Sequence, residues 1–363
     1  MNKILNEDLL YTLSGLTTEE KNKLQGAQIL ITGCAGFLGY YIMHFLARFG
    51  NELGVKRVVA LDNFKLGSPK WLKQIGNLDF VDVQTFDVAS DDIASLPDAD
   101  QCNYIIHMAS IASPHFYRKY PIETLDANIW GLRSLLDFYK DKGIKGFLFY
   151  SSSEIYGDPD AESIPTDEEY RGFVSATGPR ACYDESKRFG ETMCMLFANQ
   201  YNMPITVVRP FNNYGPGMKL SDQRVPADFA KNIYENSDII MLSDGTPTRT
   251  FCYIADAVVG YLKALLYGKY DYFNIGISKP EISIRELAKI YVEKGRDVFG
   301  YAGSCKIKAA EEKEYLTHNP QRRCPNTQKA KSVLGYEAQI NVAMGVERFL
   351  KYLKESARDE VIW

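Results

Sequence analysis

Gln28-Ile29-Leu30-Ile31-Thr32-Gly33-Cys34-Ala35-Gly36-Phe37-Leu38-Gly39 is the stretch that decides the fold. The apolar run up to Thr32 reads as a buried strand, and Tyr40 to Arg48 follows with the apolar period of a helix. Between them the glycines recur at every third position. A strand, a Gly-x-x-Gly-x-x-Gly turn and a helix in that order are the phosphate turn of a dinucleotide fold. Gly33 permits the tight turn, Gly36 lets backbone approach a pyrophosphate, and Gly39 lets the helix pack close on the strand. Phe37 and Leu38 ride on the same turn and count with the cofactor contacts.

The chain downstream continues that pattern. Arg57 to Leu61 is a second strand ending at Asp62, 23 positions after Gly39, where an acid accepts hydrogen bonds from the adenosine ribose; Asn63 follows it. A carboxylate there repels a 2′-phosphate, so NAD is favoured over NADP. Phe80 to Phe86 reads as a third strand, with Asp87-Val88 placed at the adenine edge. Tyr104 to Ser110 is a fourth strand that runs under the cofactor and brings Met108 and Ala109 to it. His107, alone at the end of an apolar strand, reads as a satisfied core residue. After a helix from about Ile122 to Lys142, a fifth strand, Gly146 to Tyr150, delivers Ser151-Ser152-Ser153-Glu154-Ile155-Tyr156-Gly157 at its carboxyl end, where open parallel sheets carry their chemistry. Ile205 to Pro210 is a sixth strand, and its Arg209 joins the expected cofactor contacts.

From Phe211-Asn212-Asn213-Tyr214-Gly215 onward the pattern changes to helices with short strands: Pro226 to Asn236, Ile239 to Leu242, Ala255 to Leu266, Ser283 to Glu293 and Val342 to Lys354. The expected organisation is α/β, a Rossmann-type doubly wound parallel sheet with a smaller α/β C-terminal substrate-binding region. Residues 1–26 form a helical extension in which Thr17 caps a helix and Glu20 closes the capping box. Residues 27–211 form the dinucleotide domain, to which a segment near 250–275 returns, and 212–363 are mainly substrate-binding.

The catalytic expectation rests on Tyr183 and Lys187. Four residues apart on a helix, their side chains leave the same face one turn apart. A phenol titrates near 10, but an ammonium beside it favours phenolate and draws that value toward neutrality. A positively charged nicotinamide ring acts in the same direction.

Bulk composition fits such an enzyme. The 363 residues are 45% hydrophobic and 24% charged, with a net charge of −4 that gives no electrostatic case for nucleic acid or an anionic membrane. No apolar run approaches the roughly 20 residues needed to cross a bilayer. The seven cysteines lack metal-like or C-x-x-C spacing, and the four histidines, His44, His107, His115 and His318, lack ligand spacing, so no metal is expected. A reduced, cytoplasmic protein is the expectation.

With the glycine turn, Ser-Ser-Ser-Glu-Ile-Tyr-Gly and Tyr183…Lys187 in order, the chain resembles the extended short-chain dehydrogenases/reductases that act on nucleotide sugars. It most resembles UDP-glucuronate decarboxylases (UDP-xylose synthases) within that family. The closer match lies in Ala112-Ser113-Pro114 through Tyr117 and Pro121, in Gly178-Pro179-Arg180-Ala181-Cys182-Tyr183-Asp184-Glu185, in Thr248-Arg249-Thr250-Phe251 and in Pro320-Gln321-Arg322-Arg323-Cys324-Pro325. The resemblance covers roughly residues 27–350.

The resemblance implies roles at matching positions. Tyr183 takes the proton of the sugar 4-hydroxyl, Lys187 tunes it and holds the ribose, and Ser152 shares the hydroxyl proton. Glu154 matches the active-site glutamate, Tyr117 the aromatic near the sugar carboxylate, and Arg249 the arginine that meets that carboxylate. Ser153 falls among the substrate contacts, and Asn212, Arg224 and Arg322 match positions that hold the nucleotide diphosphate. It further implies a homodimer through the helices at about 122–142 and 183–201, for which Leu132, Leu135, Leu136, Met193 and Phe197 supply apolar positions.

Ser153 stands where related 4,6-dehydratases carry the Asp that protonates a departing hydroxyl, which argues against dehydration. Departures from the decarboxylase pattern are Asp228 for a usual Asn, Leu242 for a usual aromatic and Ser186 for Gly. The expected function is NAD-dependent decarboxylation of a nucleotide-linked uronic acid through a 4-keto intermediate. The alternatives are a nucleotide-sugar 4-epimerase or 4-keto-forming dehydrogenase/dehydratase and, from another class, a non-catalytic NAD-sensing protein. Retention of Ser152, Tyr183 and Lys187 together argues against the sensor.

Overall fold

In the computed structural model, which describes residues 2–308 and 319–357, seven strands form one parallel sheet. In chain order they are β1 (Gln28–Thr32), β2 (Arg57–Asp62), β3 (Val81–Thr85), β4 (Tyr104–His107), β5 (Gly146–Tyr150), β6 (Ile205–Pro210) and a last strand, Asp271–Ile275. Their spatial order is Asp271–Ile275, β6, β5, β4, β1, β2, β3. The inner strands are buried nearly end to end because both faces of the sheet are covered, whereas the edge strands β3 and Asp271–Ile275 carry polar residues. Ile29, Ile31, Val58, Ala60 and Leu148 enter one core, while Leu30, Val59, Leu61, Phe147 and Phe149 enter the other. That is the two-residue period of a strand, written twice in apolar residues.

The order reverses at β1, which pairs with β2 on one side and β4 on the other. A crevice therefore opens at the carboxyl ends of β1 and β4, where open α/β sheets bind ligands. The Gly33 turn leads from β1 into the Phe37–Phe49 helix. The helix expected over 122–142 is built as Pro121–Asp126, a π-turn at Ala127–Gly131 and Leu132–Tyr139. The turn is fixed by contacts at each end. Asn128 donates to Ser186 Oγ at 2.8 Å, and a Cβ on Gly131 would lie 2.6 Å from Val88 Cγ2. Ser186, at a position where glycine was expected, thus binds one helix to the next.

The Ile254–Leu265 helix and the Asp271–Ile275 strand return to this sheet after the chain has left it. The strand escaped the sequence reading because Asp271 and Tyr272 are half-buried polar-edged residues at a sheet edge. At the N-terminus, Asn2 caps the Lys3–Ser14 helix, and Thr17 and Glu20 form the expected capping box on Thr18–Lys23. Asp8 ties the first of these helices down. It is fully buried, accepts from Tyr253 Oη at 2.6 Å and pairs with Arg348 at 2.7 Å.

A small ladder completes the site-bearing framework. Thr248–Arg249 pairs antiparallel with Ile282–Ser283 and parallel with Arg322–Arg323, with Arg323 in register with Arg249. No helix among the described residues is long and apolar enough to cross a membrane.

Candidate active site

A cavity of about 820 Å³ runs from the Gly33–Gly39 turn past Tyr183 to Arg249. At its first end Gly33 adopts φ +76°, and a Cβ there would strike Ala109 N at 2.7 Å, so the segments that leave β1 and β4 approach this closely only through a glycine. A Cβ on Gly39 would lie 2.3 Å from Cys34 O. Gly36 differs, since a Cβ there would meet only Gly33 O at 3.3 Å, and the residue forms part of the cavity wall. The turn is thus closed where it packs and open where a diphosphate would lie against the first-turn N–H groups of the helix. Asp62 accepts from the N–H of Ala35 (3.0 Å) and of Phe64 (2.8 Å), which fixes its carboxylate at the cavity edge. Asn63 donates to Asp87 Oδ2 at 3.0 Å, and both line the cavity with Phe37, Leu38, Val88, Met108 and Ala109. These residues fit a dinucleotide with a free ribose edge.

Tyr183 and Lys187 lie in the Ala181–Tyr201 helix and reach the middle of the cavity, beside Ser152 at the end of β5. The Tyr183 ring stacks on Tyr117, with centroids 5.2 Å apart and planes 12° from parallel. Tyr117 Oη is buried without a hydrogen-bond partner among the described residues. Burial pushes the Tyr183 phenol up to about 12, opposed by a hydrogen bond with Ser152 and by the charge of Arg224. Burial likewise pushes Lys187 down to about 7. Lys187 donates to Tyr150 O at 2.8 Å, and its Nζ lies 5.7 Å from the Tyr183 ring centre. Desolvation thus dominates both groups in the cofactor-free chain.

Beyond Tyr183 stands a group of arginines that the sequence reading assigned only in part. Glu154 Oε2 receives Arg180 Nη2, and Arg323 Nη2 at 2.9 Å. Burial favours the neutral acid, but Arg180, Arg323 and Arg249 override it and hold the Glu154 carboxyl below its usual range. Arg249 is buried and donates to backbone oxygens, Thr248 O at 2.7 Å, Gln321 O at 3.1 Å and Pro320 O. Burial and the neighbouring Arg323 push it down to about 10, which leaves it charged at neutral pH. Asp184, pushed up by burial and by Glu154, pairs with Arg180 at 3.4 Å.

Two expected contacts fall outside the cavity. Arg209 is buried on the far side of Tyr156, donating to its hydroxyl (2.7 Å), to Glu168 O (2.8 Å) and through a fork to Glu191 (2.6 and 2.9 Å). A guanidinium so fully paired is a structural tie between β6 and the Ala181–Tyr201 helix. Arg322 points outward and pairs with Glu281 at 2.6 and 2.9 Å. Adjacent strand residues face opposite ways, so it is Arg323 that turns inward.

At the far end of the cavity, Asn212 donates to Thr250 O at 2.9 Å, and Arg224 is forked onto Asp222. Ser153 and Leu242 also line the cavity. Asp228 is there too, its carboxyl pushed up to about 6 by burial and by Asp222. His107 is buried, bonds Thr32 Oγ1 at 2.8 Å and is pushed down to about 3 by burial and by Lys187, but its Nε2 has no hydrogen-bond partner among the described residues, so the core residue is only half satisfied. His318 lies outside the described residues.

The chain resembles known proteins over most of its length. It is 32% identical over 328 residues to UDP-glucuronic acid decarboxylase 1 of Xenopus tropicalis, spanning 90% of this chain and 72% of that protein. It is 33% identical over 319 residues to UDP-glucuronic acid decarboxylase 6 of Arabidopsis thaliana, spanning 88% and 86%. Its fold matches UDP-glucose 4-epimerase of Thermotoga maritima with UDP-glucose, at a TM-score of 0.77 and 23% identity over 90% of this chain and 98% of that one. It also matches UDP-glucuronic acid 4-epimerase of Bacillus cereus in complex with UDP-glucuronic acid and NAD, at 0.72 and 23% over 90% and 99%. The NAD dependent epimerase/dehydratase family matches residues 29–276. By that match across more than half its length, the chain belongs to this family and is an NAD-dependent enzyme of the extended short-chain dehydrogenase/reductase kind.

Proposed function

We propose that this enzyme decarboxylates a nucleotide-linked uronic acid, of the UDP-glucuronate to UDP-xylose type. The observation that carries the reading is Arg249, a buried guanidinium on the cavity wall whose hydrogen bonds go to backbone oxygens. With Arg180 and Arg323 it brings three guanidinium charges to a region where Glu154 is the firmly ionised carboxylate, so the pocket favours an incoming anion. The names of the curated relatives support the same substrate class.

The chemistry asks for such a site. Loss of carbon dioxide from a saturated sugar acid would leave an unstabilised carbanion. Oxidation at carbon 4 places a ketone β to the carboxylate, so the electrons of the breaking bond delocalise as an enolate. NAD, when bound, supplies the hydride acceptor at that carbon and a positive ring charge beside the phenol. Tyr183 takes the proton of the 4-hydroxyl, which Ser152 shares by hydrogen bond, and Tyr117 backs the Tyr183 ring against movement. Lys187, held on Tyr150 O, fixes the helix face on which Tyr183 stands and presents its donors to the cofactor ribose. Arg249 grips the planar carboxylate. Arg224 and Asn212 lie where the diphosphate would pass. The Gly33–Gly39 turn, Asp62, Asn63, Asp87, Val88, Met108 and Ala109 would hold the dinucleotide.

The test is mass spectrometry of products from a panel of nucleotide sugars. Loss of carbon dioxide from a uronate is the expected result. Conversion of the uronate without change of mass would replace this reading with 4-epimerisation, and loss of water would replace it with dehydration.

A further inference from the structure

Glu154 is held in an asymmetric way. Arg180 and Arg323, from different parts of the chain, both donate to the same oxygen, Oε2. Arg323 is 2% exposed, and its other terminal nitrogen donates to Ser153 O, so it grips the backbone and the side chain of neighbouring residues at once. Arg180 is tied in turn to Asp184. Arg323 comes from the strand whose register sets it opposite Arg249, so one ladder delivers Arg249 to the cavity wall and Arg323 to the Glu154 side chain behind it. Such a two-point grip costs the fold a buried guanidinium whose Nε has no hydrogen-bond partner among the described residues. A purely structural role would be served as well by an apolar side chain of the same volume.

We propose that Arg323 is a positioning residue that, with Arg180, clamps Glu154 through Oε2 and leaves Oε1 as a free acceptor for the substrate, so that Glu154 does not donate a proton in the reaction. The groups facing Glu154 are Arg180, Arg249, Arg323, Asp184, Tyr183 and Tyr117. Burial alone would protonate the acid, and the guanidinia reverse that preference. Removing one of them returns the advantage to the neutral form.

The inference rests on the carboxylate-directed reading above, but its spectroscopic test does not need the substrate. Infrared difference spectra of wild type minus Glu154→Gln, taken across a pH titration, report the carbonyl band of the protonated Glu154 side chain. The expected result is a midpoint below the ordinary carboxyl range in the wild type. In Arg323→Met it moves up by at least one pH unit, a tenfold gain in proton affinity, and in Arg323→Lys it moves by less. Turnover follows the same order. The acid limb of the pH–rate profile of Arg323→Met moves to higher pH, and Arg323→Lys restores part of it. In Arg323→Met combined with Glu154→Gln the limb stays where Glu154→Gln alone leaves it. If Arg323→Met does not fold, Arg323→Lys carries the comparison. An unchanged Glu154 midpoint in Arg323→Lys and, where it folds, Arg323→Met would overturn the proposal, and so would a protonated Glu154 in the wild type at neutral pH. If the midpoint shifts but no uronate is consumed, only the substrate reading fails.

Discussion

Arg249→Ala separates recognition of a carboxylate from everything else the cavity does. The guanidinium remains charged at neutral pH although burial and Arg323 push it down to about 10. A hydrogen bond to a charged group contributes roughly 1.5–3 kcal/mol, and every 1.4 kcal/mol is tenfold in affinity. Loss of that contact should therefore weaken a nucleotide-linked glucuronate about 10- to 150-fold. The same substitution leaves the backbone oxygens of Thr248, Gln321 and Pro320 short of a donor, a further cost of about 1–3 kcal/mol each where water cannot reach them. That second cost falls on the fold and is shared by every ligand. The informative quantity is thus a difference of differences: calorimetric affinities of the uronate and of the matching hexose, each for wild type and variant. The uronate should lose its advantage over the hexose, whose affinity falls only by the shared cost. Equal losses for both ligands would show that Arg249 holds the cavity together and does not read the carboxylate.

Tyr183→Phe removes only a hydroxyl and keeps the ring stacked 5.2 Å from Tyr117, so substrate-dependent reduction of NAD should vanish while the thermal midpoint holds; near-normal turnover would remove the assigned base. Asp62→Ala should weaken NAD by about 1–3 kcal/mol by loss of charged acceptors for the ribose, and tighter binding of NADP than NAD by the wild type would contradict the assignment. Burial holds Lys187 at about 7 against roughly 10.4 in the unfolded chain. The unfolded state therefore binds more protons between those values, and cofactor-free stability should rise with pH across that window. Urea titrations at neutral and alkaline pH should show the slope flatten in Lys187→Met, and an unaltered slope would refute the burial effect. The helices that include Trp130, Phe189 and Leu196, exposed by 59%, 51% and 53%, should pair between two copies, so light scattering at micromolar concentration should give a dimer that Trp130→Lys with Leu196→Lys dissociates. A monomeric wild type would end that expectation.

The dimer expectation also shows what a helical period conceals. Leu132, Leu135, Leu136, Met193 and Phe197 do form apolar stripes, but they are buried against the chain's own sheet. The residues left for a partner are the apolar ones on the opposite side, which break the amphipathic pattern. Periodicity reports that one face is apolar, and it is silent about which apolar residues lie outside that face. The glycine turn was legible for the opposite reason. Its constraints are local, and a Cβ at Gly33 or Gly39 collides with backbone within a few residues of a strand end or of its neighbouring strand. Five of the seven strands of the sheet announced themselves as apolar runs and the edge strand β3 by its alternation; the other edge strand, Asp271–Ile275, did not, because its half-buried end admits polar residues.

The arginines carry the same contrast into the site. Arg209, Arg249, Arg322 and Arg323 are all placed at or near strand ends, and nothing in their identity says which will face a cavity. Arg209 was expected to touch the cofactor, yet Glu191, eighteen residues earlier and on a helix, neutralises it from the other side of the strand. Arg322 and Arg323 differ only in parity. A two-residue strand has no apolar alternation from which to read which of them is buried, and only its register against Thr248–Arg249 decides that Arg323 turns toward Glu154 while Arg322 meets Glu281. Arg180 stood in plain view between Pro179 and Ala181, but its partner lies in the turn that follows β5, 26 residues away. Tyr183 and Lys187 could be paired from spacing alone because one helix carries both, whereas the charge that Glu154 bears is set by three guanidinia brought from three separate segments of the chain. Local constraints write themselves into a sequence as motifs; electrostatic ones of this kind exist only once the segments have met.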